Sequence, residues 1–448
     1  MTAVTRRRFL TSAGGAAAGG ALAGCGTLAG GGKGTLRFFH NETDPATVSF
    51  FHRAIAAYER DHPRVHVEME LVSTDGRLQR LLSMQAIRRL PGIFKILPEE
   101  RHMFAKKGML EPLDDVVDRI GRDDFVEHAL IPIDGVIYDI PYTLDPFSDY
   151  WYRDDLLTAK GLRPATTWRE FADSSKELRR GAKTYGTAIP ASIGRAGDIF
   201  FAQVLWSQGG TFFDKDFAVS LDRGDAAVRA LEIVRDLAAA APPGIKSYSY
   251  DDMVSTYVSG QIAQVVYDPG VVTTAQSTAK DILAKTRTGP LLIGDSGIGI
   301  GYQNPNLFTI STKEYGNPDV PVAKDFLRHV LTGSRALEFS LTDYPNYVPP
   351  LASIQKEISR TKNVLNDAYG PLVKRAFDLR NTMDFTREAG ARVVDGALVT
   401  TGTVNPHSRF ISDRFIGANL MQEAFSTHTS LRQAVKKWAD ELRKAVDE

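Results

Sequence analysis

One cysteine, Cys25, stands in 448 residues. An internal disulfide is therefore excluded, and so is a zinc or iron–sulfur site built on several thiolates. Charge of one sign is also missing, since 54 Lys and Arg face 54 Asp and Glu. No basic field argues for nucleic acid, and no acidic tail argues for a charged partner. The nine histidines contain no HExxH arrangement, so no catalytic metal and no cofactor are implied.

What surrounds the lone cysteine is informative. TRRRFLTSAGGAAAGGALAG places Arg6, Arg7 and Arg8 before Phe9 and Leu10, then a weakly apolar stretch, then small residues beside Cys25. That segment is too short and too glycine-rich to cross a bilayer as a helix, and has the layout of an export signal. TRRRFL resembles the twin-arginine export motif, and LAGC is similar to the lipobox of bacterial lipoproteins. The resemblance implies a signal peptide over residues 1–24, cleavage before Cys25, and a lipid on its thiol. A merely buried, inert cysteine would leave the arginines and the small-residue site unexplained. Residues 25–34 offer almost nothing to bury and read as a tether with a reach of roughly 15 to 18 Å. The folded part is then expected outside the cytoplasm, close to the cell membrane.

From residue 35 onward strand and helix patterns alternate. TLRFF is a short apolar run, and Asp44 with Pro45 supplies an N-cap and first turn for a helix ending near Pro63. VHVEMELV alternates like a half-buried strand, a helix carries Leu78, Leu81 and Leu82, and IFKIL reads as a buried strand. These βαβ units predict a largely parallel first sheet. Thr167 and Glu170 form a capping box for a helix to about Arg180, and another helix starts near Ala226. YSYDDMVSTYVSG predicts a helix closed by Gly260 with the strand QIAQVVY behind it. Asn317 and Pro318 predict the opening of a further helix, and from Leu351 the signals are mainly helical.

Two stretches carry a family resemblance. IPYTLDPFSDYWYRDDLLTAKGLRPATTWREFADSSKEL, residues 140–178, resembles the crossover of extracellular solute-binding proteins of ABC importers, of the sugar- and polyol-binding type. YVSGQIAQVVYDPG, residues 257–270, is similar to a helix end and strand of the same family. FFHNE at 38–42, WSQGG at 206–210 and NYVP at 346–349 follow in the expected order. The resemblance implies an α/β, two-lobe periplasmic-binding-protein-like fold, with the chain crossing between lobes several times and a ligand cleft between them. Lobe 1 is expected over 35–141 and 295–342, lobe 2 over 142–294 and 343–448. Crossings fall near Pro141, Leu292–Gly294 and Thr342–Tyr344.

The resemblance also implies ligand residues by position. These are His40, Asn41 and Glu42 after the first strand; Asp145 and Phe147 past the hinge; and Tyr267 and Asp268 at a strand end. Gly301, Tyr302 and Asn304 come from the returning loop and Tyr347 from NYVP, with Gln79, Arg195 and Arg409 matched more loosely. Tyrosine rings would lie on sugar faces while carboxylates and amides take hydroxyl pairs. Asp145 and Tyr347 are expected on the cleft surface. Structural roles stand beside these: His40 closing a strand, Tyr267 and Tyr302 as wall packing, Trp206 packing under WSQGG, Asp145 fixing a turn with Pro146, and Arg409 in a surface ion pair.

Three departures limit what the resemblance implies about the particular sugar. Gly270 stands where many sugar binders have tryptophan, PGI at 91–93 replaces PDI, and Gln264 replaces a methionine. The expected ligand is an oligosaccharide, a small polyol, or a phosphorylated polyol such as a glycerophosphodiester, with Arg195 or Arg409 meeting the phosphate. The expected partners are an ABC permease and, through the lipid anchor, the membrane; the chain is expected to be a monomer. Enzyme readings are thinner. GDSGIG, residues 294–299, echoes the nucleophile segment of chymotrypsin-like proteases, but those are all-β. GIGIG at 297–301 lacks dinucleotide-loop spacing. The acidic pairs Asp114/Asp115 and Asp154/Asp155 are adjacent and point apart. A secreted cell-surface glycoside hydrolase and a sensory solute receptor remain the alternative readings.

Overall fold

The computed structural model describes residues 34–73, 76–179, 184–361, 370, 380–426 and 430–448. The expected signal peptide, Cys25 and most of the tether lie outside the described residues. Gly34, placed at the end of that tether, instead opens the first strand.

Two sheets organise the chain. The first holds β1 (Gly34–His40), β2 (Val65–Leu71), β3 (Ile93–Ile96), β4 (Asp139–Pro146), β9 (Gly301–Ile310) and β10 (Thr382–Met383). The second holds β5 (Asp149–Arg153), β6 (Tyr185–Thr187), β7 (Ile262–Tyr267) and β8 (Thr286–Thr288), in the order β6-β7-β5-β8. β1 pairs in parallel with β2 and β3, as the βαβ reading requires, but β9 runs antiparallel to β3 and β4. The first sheet is therefore mixed rather than largely parallel, because β9 returns from the second sheet instead of from a crossover helix. The sheet change falls at residues 147–148, later than Pro141, which lies inside β4. β10 belongs to the 343–448 segment expected in the second lobe, yet it pairs with the start of β9 in the first sheet.

Local chemistry accounts for the elements. Asp44 Oδ1 accepts from the Ala46 and Thr47 N–H groups and Pro45 opens the helix Pro45–Asp61, a cap worth about 1 kcal/mol. That helix buries Phe50, Phe51, Ala54, Ile55 and Tyr58 against the sheet, where Phe38, Phe51, Phe308 and Phe326 meet edge to face. Thr167 and Glu170 cap the helix Trp168–Leu178 reciprocally. Ser249 caps Tyr250–Val258, and Gly260 then turns the chain with φ 78°. The helix predicted from Asn317 begins at Val320, because Asp319 caps it through the Val322 N–H while Asn317 Oδ1 holds the Asp319 N–H. The mainly helical expectation after Leu351 fails over 380–408. There β10 is followed by a hairpin, Arg392–Val394 with Ala397–Val399. Its turn, Asp395–Gly396, has φ 49° and 76°, the left-handed pair that an Asp-Gly hairpin takes, so VVDGALV carried the signal.

Candidate functional site

Adjacent parallel strands present their carboxyl ends to one side, where ligands of open α/β sheets sit. Here that edge gathers the ends of β1, β3 and β4 with the start of β9, since Asp145 pairs with Asn304 in antiparallel register. In the second sheet Asp149, opening β5, pairs with Tyr267 at the end of β7. Only two residues separate β4 from β5, so both sheets bring polar ends to one junction.

Glu42 forms a closed knot at the end of β1. It accepts from Lys95 Nζ at 2.5 Å, from the Tyr142 hydroxyl, and from the Tyr347 hydroxyl at 2.7 Å. Burial pushes its carboxyl up, but Lys95 and the hydroxyl donors prevail and hold it at about 2. His40 is fully buried, and its Nδ1 accepts from the Glu42 N–H at 3.2 Å. Desolvation, with Glu42 and Lys95 pulling in opposite directions, leaves the imidazole at about 4, so it is neutral at pH 7. Asn41 stands between them.

From this knot a chain of amides crosses the edge. Asn306 donates to Asp145 Oδ2 at 2.5 Å and to Thr143 Oγ1 at 2.8 Å; Asn304 donates to Asn306 Oδ1 at 3.3 Å. Arg195, first residue of the helix Arg195–Ser207, donates to Asn304 Oδ1 at 2.9 Å and to the Tyr302 hydroxyl at 3.3 Å. The same guanidinium pairs with the buried Glu99, which follows β3 and also accepts from Ser412 Oγ. First-sheet Glu99 and Asn304 are thus tied to a helix that packs in the second sheet's core.

At the far end Asp268 Oδ1 accepts from the Tyr250 hydroxyl and the Gly270 N–H, both at 2.9 Å. Burial pushes this carboxyl up to about 7. A side chain at Gly270 would strike the Tyr250 hydroxyl 2.0 Å away, so the Tyr250–Asp268 hydrogen bond leaves room only for glycine here. Gly301 donates its N–H to the Asn381 carbonyl at 2.9 Å and lies beside the side chains of Ser148 and Thr382.

Several expectations about exposure are corrected. Asp145 and Tyr347 are 6 % and 5 % exposed, not on an open surface. Tyr347 is buried because its ring stacks on Phe339 at 5.2 Å while its hydroxyl reaches Glu42. Tyr267 and Tyr302 belong to the second sheet's core, with Tyr302 stacked flat on Trp206 at 5.6 Å, so neither ring is an open sugar platform. Phe147 is half-buried and sets its ring edge-on to both tyrosines, which makes it an available aromatic at the junction. Gln79 lies exposed on the helix Arg77–Ala86. Arg409 touches Met103 Sδ at 2.9 Å and lies over Phe410, with Asp413 only at 3.9 Å. Glu99, Lys95, Asn306, Tyr250 and Asp343 escaped sequence reasoning; only Asp343, inside the expected crossing at 342–344, had a signal.

The model of the family described as bacterial extracellular solute-binding protein matches residues 43–332. This chain belongs to that family. The solute-binding protein is 25 % identical over 242 residues to a binding protein of Brucella abortus (strain 2308); the match covers 53 % of this chain and 58 % of that relative's length. Among solved structures, the GacH receptor of Streptomyces glaucescens, studied unliganded and with acarbose, superposes with TM-score 0.74 at 18 % identity, over 92 % of this chain and 98 % of that one. A solute-binding protein of Agrobacterium radiobacter K84 in complex with ribitol gives TM-score 0.73 at 17 % identity, over 92 % and 98 %. At such identities the structural likeness establishes the two-lobe fold.

Beneath the junction the solute-binding protein fixes its aromatic wall through Glu388. Its carboxylate accepts from the Trp206 indole N–H at 3.3 Å and from the Phe212 and Phe213 N–H groups at 2.8 and 3.0 Å. Burial, opposed by these donors, pushes the carboxyl from 4.5 up to about 8. The folded state holds this proton more tightly than the unfolded chain, so its contribution is fully present below about pH 4.5 and is lost as pH rises through about 8. Glu388→Gln is expected to flatten the change in stability between pH 5 and pH 8. Urea unfolding at the two pH values tests this, and a slope equal to that of the parent protein would refute it.

Proposed function

We propose that this protein captures a carbohydrate or related polyol outside the cell and delivers it to an ABC permease. The carrying observation is the continuous polar chain, from Asp145 through Asn306, Asn304 and Arg195 to Glu99, along the junction of the two sheets. Carboxylates and amides in such a row are suited to hydroxyl pairs, and Phe147 supplies a ring beside them. Relatives solved with acarbose and with ribitol support the same ligand class. The ligand set of the proposed cleft is His40, Asn41, Glu42, Asp145, Phe147, Asp268, Asn304 and Arg195, with the buried tyrosines behind it. Closure of one lobe on the other would complete the contacts and present one docking face to the permease, whose own subunits hydrolyse ATP.

The lobes of this reading are 35–146 with 301–342 and 149–294 with most of 343–448, divided at residues 147–148. Export by the twin-arginine route, a lipid on Cys25, anchoring at the membrane and a monomeric state belong to the same proposal. A phosphorylated polyol finds less support, because the Arg195 guanidinium is already matched by Glu99. No observation favours the hydrolase or the sensory receptor. The test is a thermal-shift and calorimetric screen against mono- and oligosaccharides and polyols, with recovered ligand checked chemically. A ligand at 100 times its Kd should stabilise the fold by about 2.7 kcal/mol and return intact. A consumed ligand would move the assignment to an enzyme.

A further inference from the structure

Asp268 follows the last residue of β7 at the junction, and its carboxylate is fixed through one oxygen only. Oδ1 accepts from the Tyr250 hydroxyl and from the Gly270 N–H, both at 2.9 Å. Oδ2 takes no hydrogen bond among the described residues and, unlike Asp145 Oδ1, is not enclosed. The main chain is pinned as well, because the Asp268 carbonyl accepts from the Trp151 indole N–H at 3.0 Å. Backbone and one oxygen are therefore held, and the carboxylate keeps a single open acceptor.

Tyr250 is the distant member of this clasp, 18 positions away in the chain. It opens the helix Tyr250–Val258, whose cap Ser249 accepts from the Asp252 N–H, so the backbone from which the ring projects is fixed. The ring is half-buried and lies 5.3 Å from that of Tyr267, which also meets Phe147 at 5.3 Å. Its hydroxyl stands where a side chain on residue 270 would project: a Cβ added there would lie 2.0 Å from that hydroxyl and 2.8 Å from Asp268 Oδ1. Tyr250 and Gly270 thus work as a pair, the glycine vacating the space that the hydroxyl fills. Burial, with Asp343 and Asp149, pushes the Asp268 carboxyl up, while Tyr250 and the Gly270 N–H hold it down, which leaves it at about 7. Tyr267 is the other titratable group beside it, and Arg195, which acts on Tyr267, is paired with Glu99.

Resting on the polyol reading, we propose that Tyr250 is a positioning residue of the ligand site: with the Gly270 N–H it fixes Asp268 Oδ1, so that Oδ2 stands in one orientation to accept from a ligand hydroxyl. A carboxylate free to rotate would lose that freedom at each binding event, and the clasp removes this cost beforehand.

The experiment measures affinity by calorimetry on the full chain, from about pH 5 to about pH 9, for ribitol, D-mannitol, D-glucose and maltose. A hydroxyl donates more strongly to the ionised acid, so a probe that binds should bind more tightly as pH rises through about 7. Tyr250→Phe keeps the ring and removes the donor. The midpoint of that profile should then move to higher pH by about 1 unit, and affinity at pH 7 should fall about fivefold. Gly270→Ala breaks the same bond by displacing the hydroxyl, and its midpoint should move the same way. Asp268→Asn should abolish the pH dependence. Melting temperature at each pH reports any loss of folding separately. A midpoint unmoved in both Tyr250→Phe and Gly270→Ala would reduce the clasp to a structural contact and overturn the proposal, leaving the polyol receptor standing. Parent affinity that ignores pH would take Asp268 out of the ligand site, with the same consequence. Failure of every probe to bind would remove the polyol reading and this proposal with it.

Discussion

Lys95→Met is expected to cost this protein about 3 to 5 kcal/mol, because it leaves the Glu42 carboxylate buried with only two tyrosine hydroxyls. The loss should depend on pH in a defined direction. In the parent protein Glu42 sits at about 2, below its ordinary 4.5, so its contribution is present above about pH 4.5 and disappears as pH falls towards 2. Without Lys95 the desolvation that pushes the carboxyl up is no longer opposed by a cation. The folded state then prefers the protonated acid, and stability falls as pH rises. Urea unfolding should show a larger deficit at pH 8 than at pH 4, and adding Glu42→Gln to Lys95→Met should recover much of it. An equal deficit at both pH values would mean that the methionine acts through packing alone.

The second large effect belongs to Arg195. Arg195→Ala strips Glu99 of its cation and Asn304 and Tyr302 of a donor, at a point where both sheets are joined. About 3 kcal/mol of stability should be lost, and ligand affinity should fall with it, since Asn304 is no longer held. The double-mutant cycle with Glu99→Gln separates the causes. The amide needs no counter-ion, so Glu99→Gln on the Arg195→Ala background should restore stability without restoring affinity, with a coupling energy of about 1 to 3 kcal/mol. Additive losses would show that the pair does not act as a unit. A ligand whose affinity ignores Arg195 would place the binding site away from this junction.

The element pattern was legible because its causes are local. Asp44 with Pro45 and Thr167 with Glu170 are caps that act within four or so residues, Gly260 closes the helix Tyr250–Val258 just past its end, and the sequence displays each of them. The hairpin at Asp395–Gly396 was equally local and was overlooked among helical signals. Site positions at strand ends followed from the family pattern, so His40 to Glu42, Asp145 and Asp268 fall at one junction. Burial of the tyrosines did not follow, because whether a ring faces ligand or core depends on partners distant in the chain, such as Trp206 beneath Tyr302 and Phe339 beneath Tyr347.

The alternation of strands and helices, the balance of charge and the family were readable along the chain. Each of these is written in short windows or in totals. Only the tertiary structure decided which charges meet. Glu42 and Lys95 are 53 positions apart, Arg195 and Glu99 are 96, and Asp145 and Asn306 are 161. The β1–β3 pairing sets Glu42 beside Lys95, and the antiparallel β4–β9 pairing sets Asp145 beside Asn306. Electrostatic pairing in a desolvated edge depends on distance in space and on burial, and neither quantity is carried by spacing along the chain.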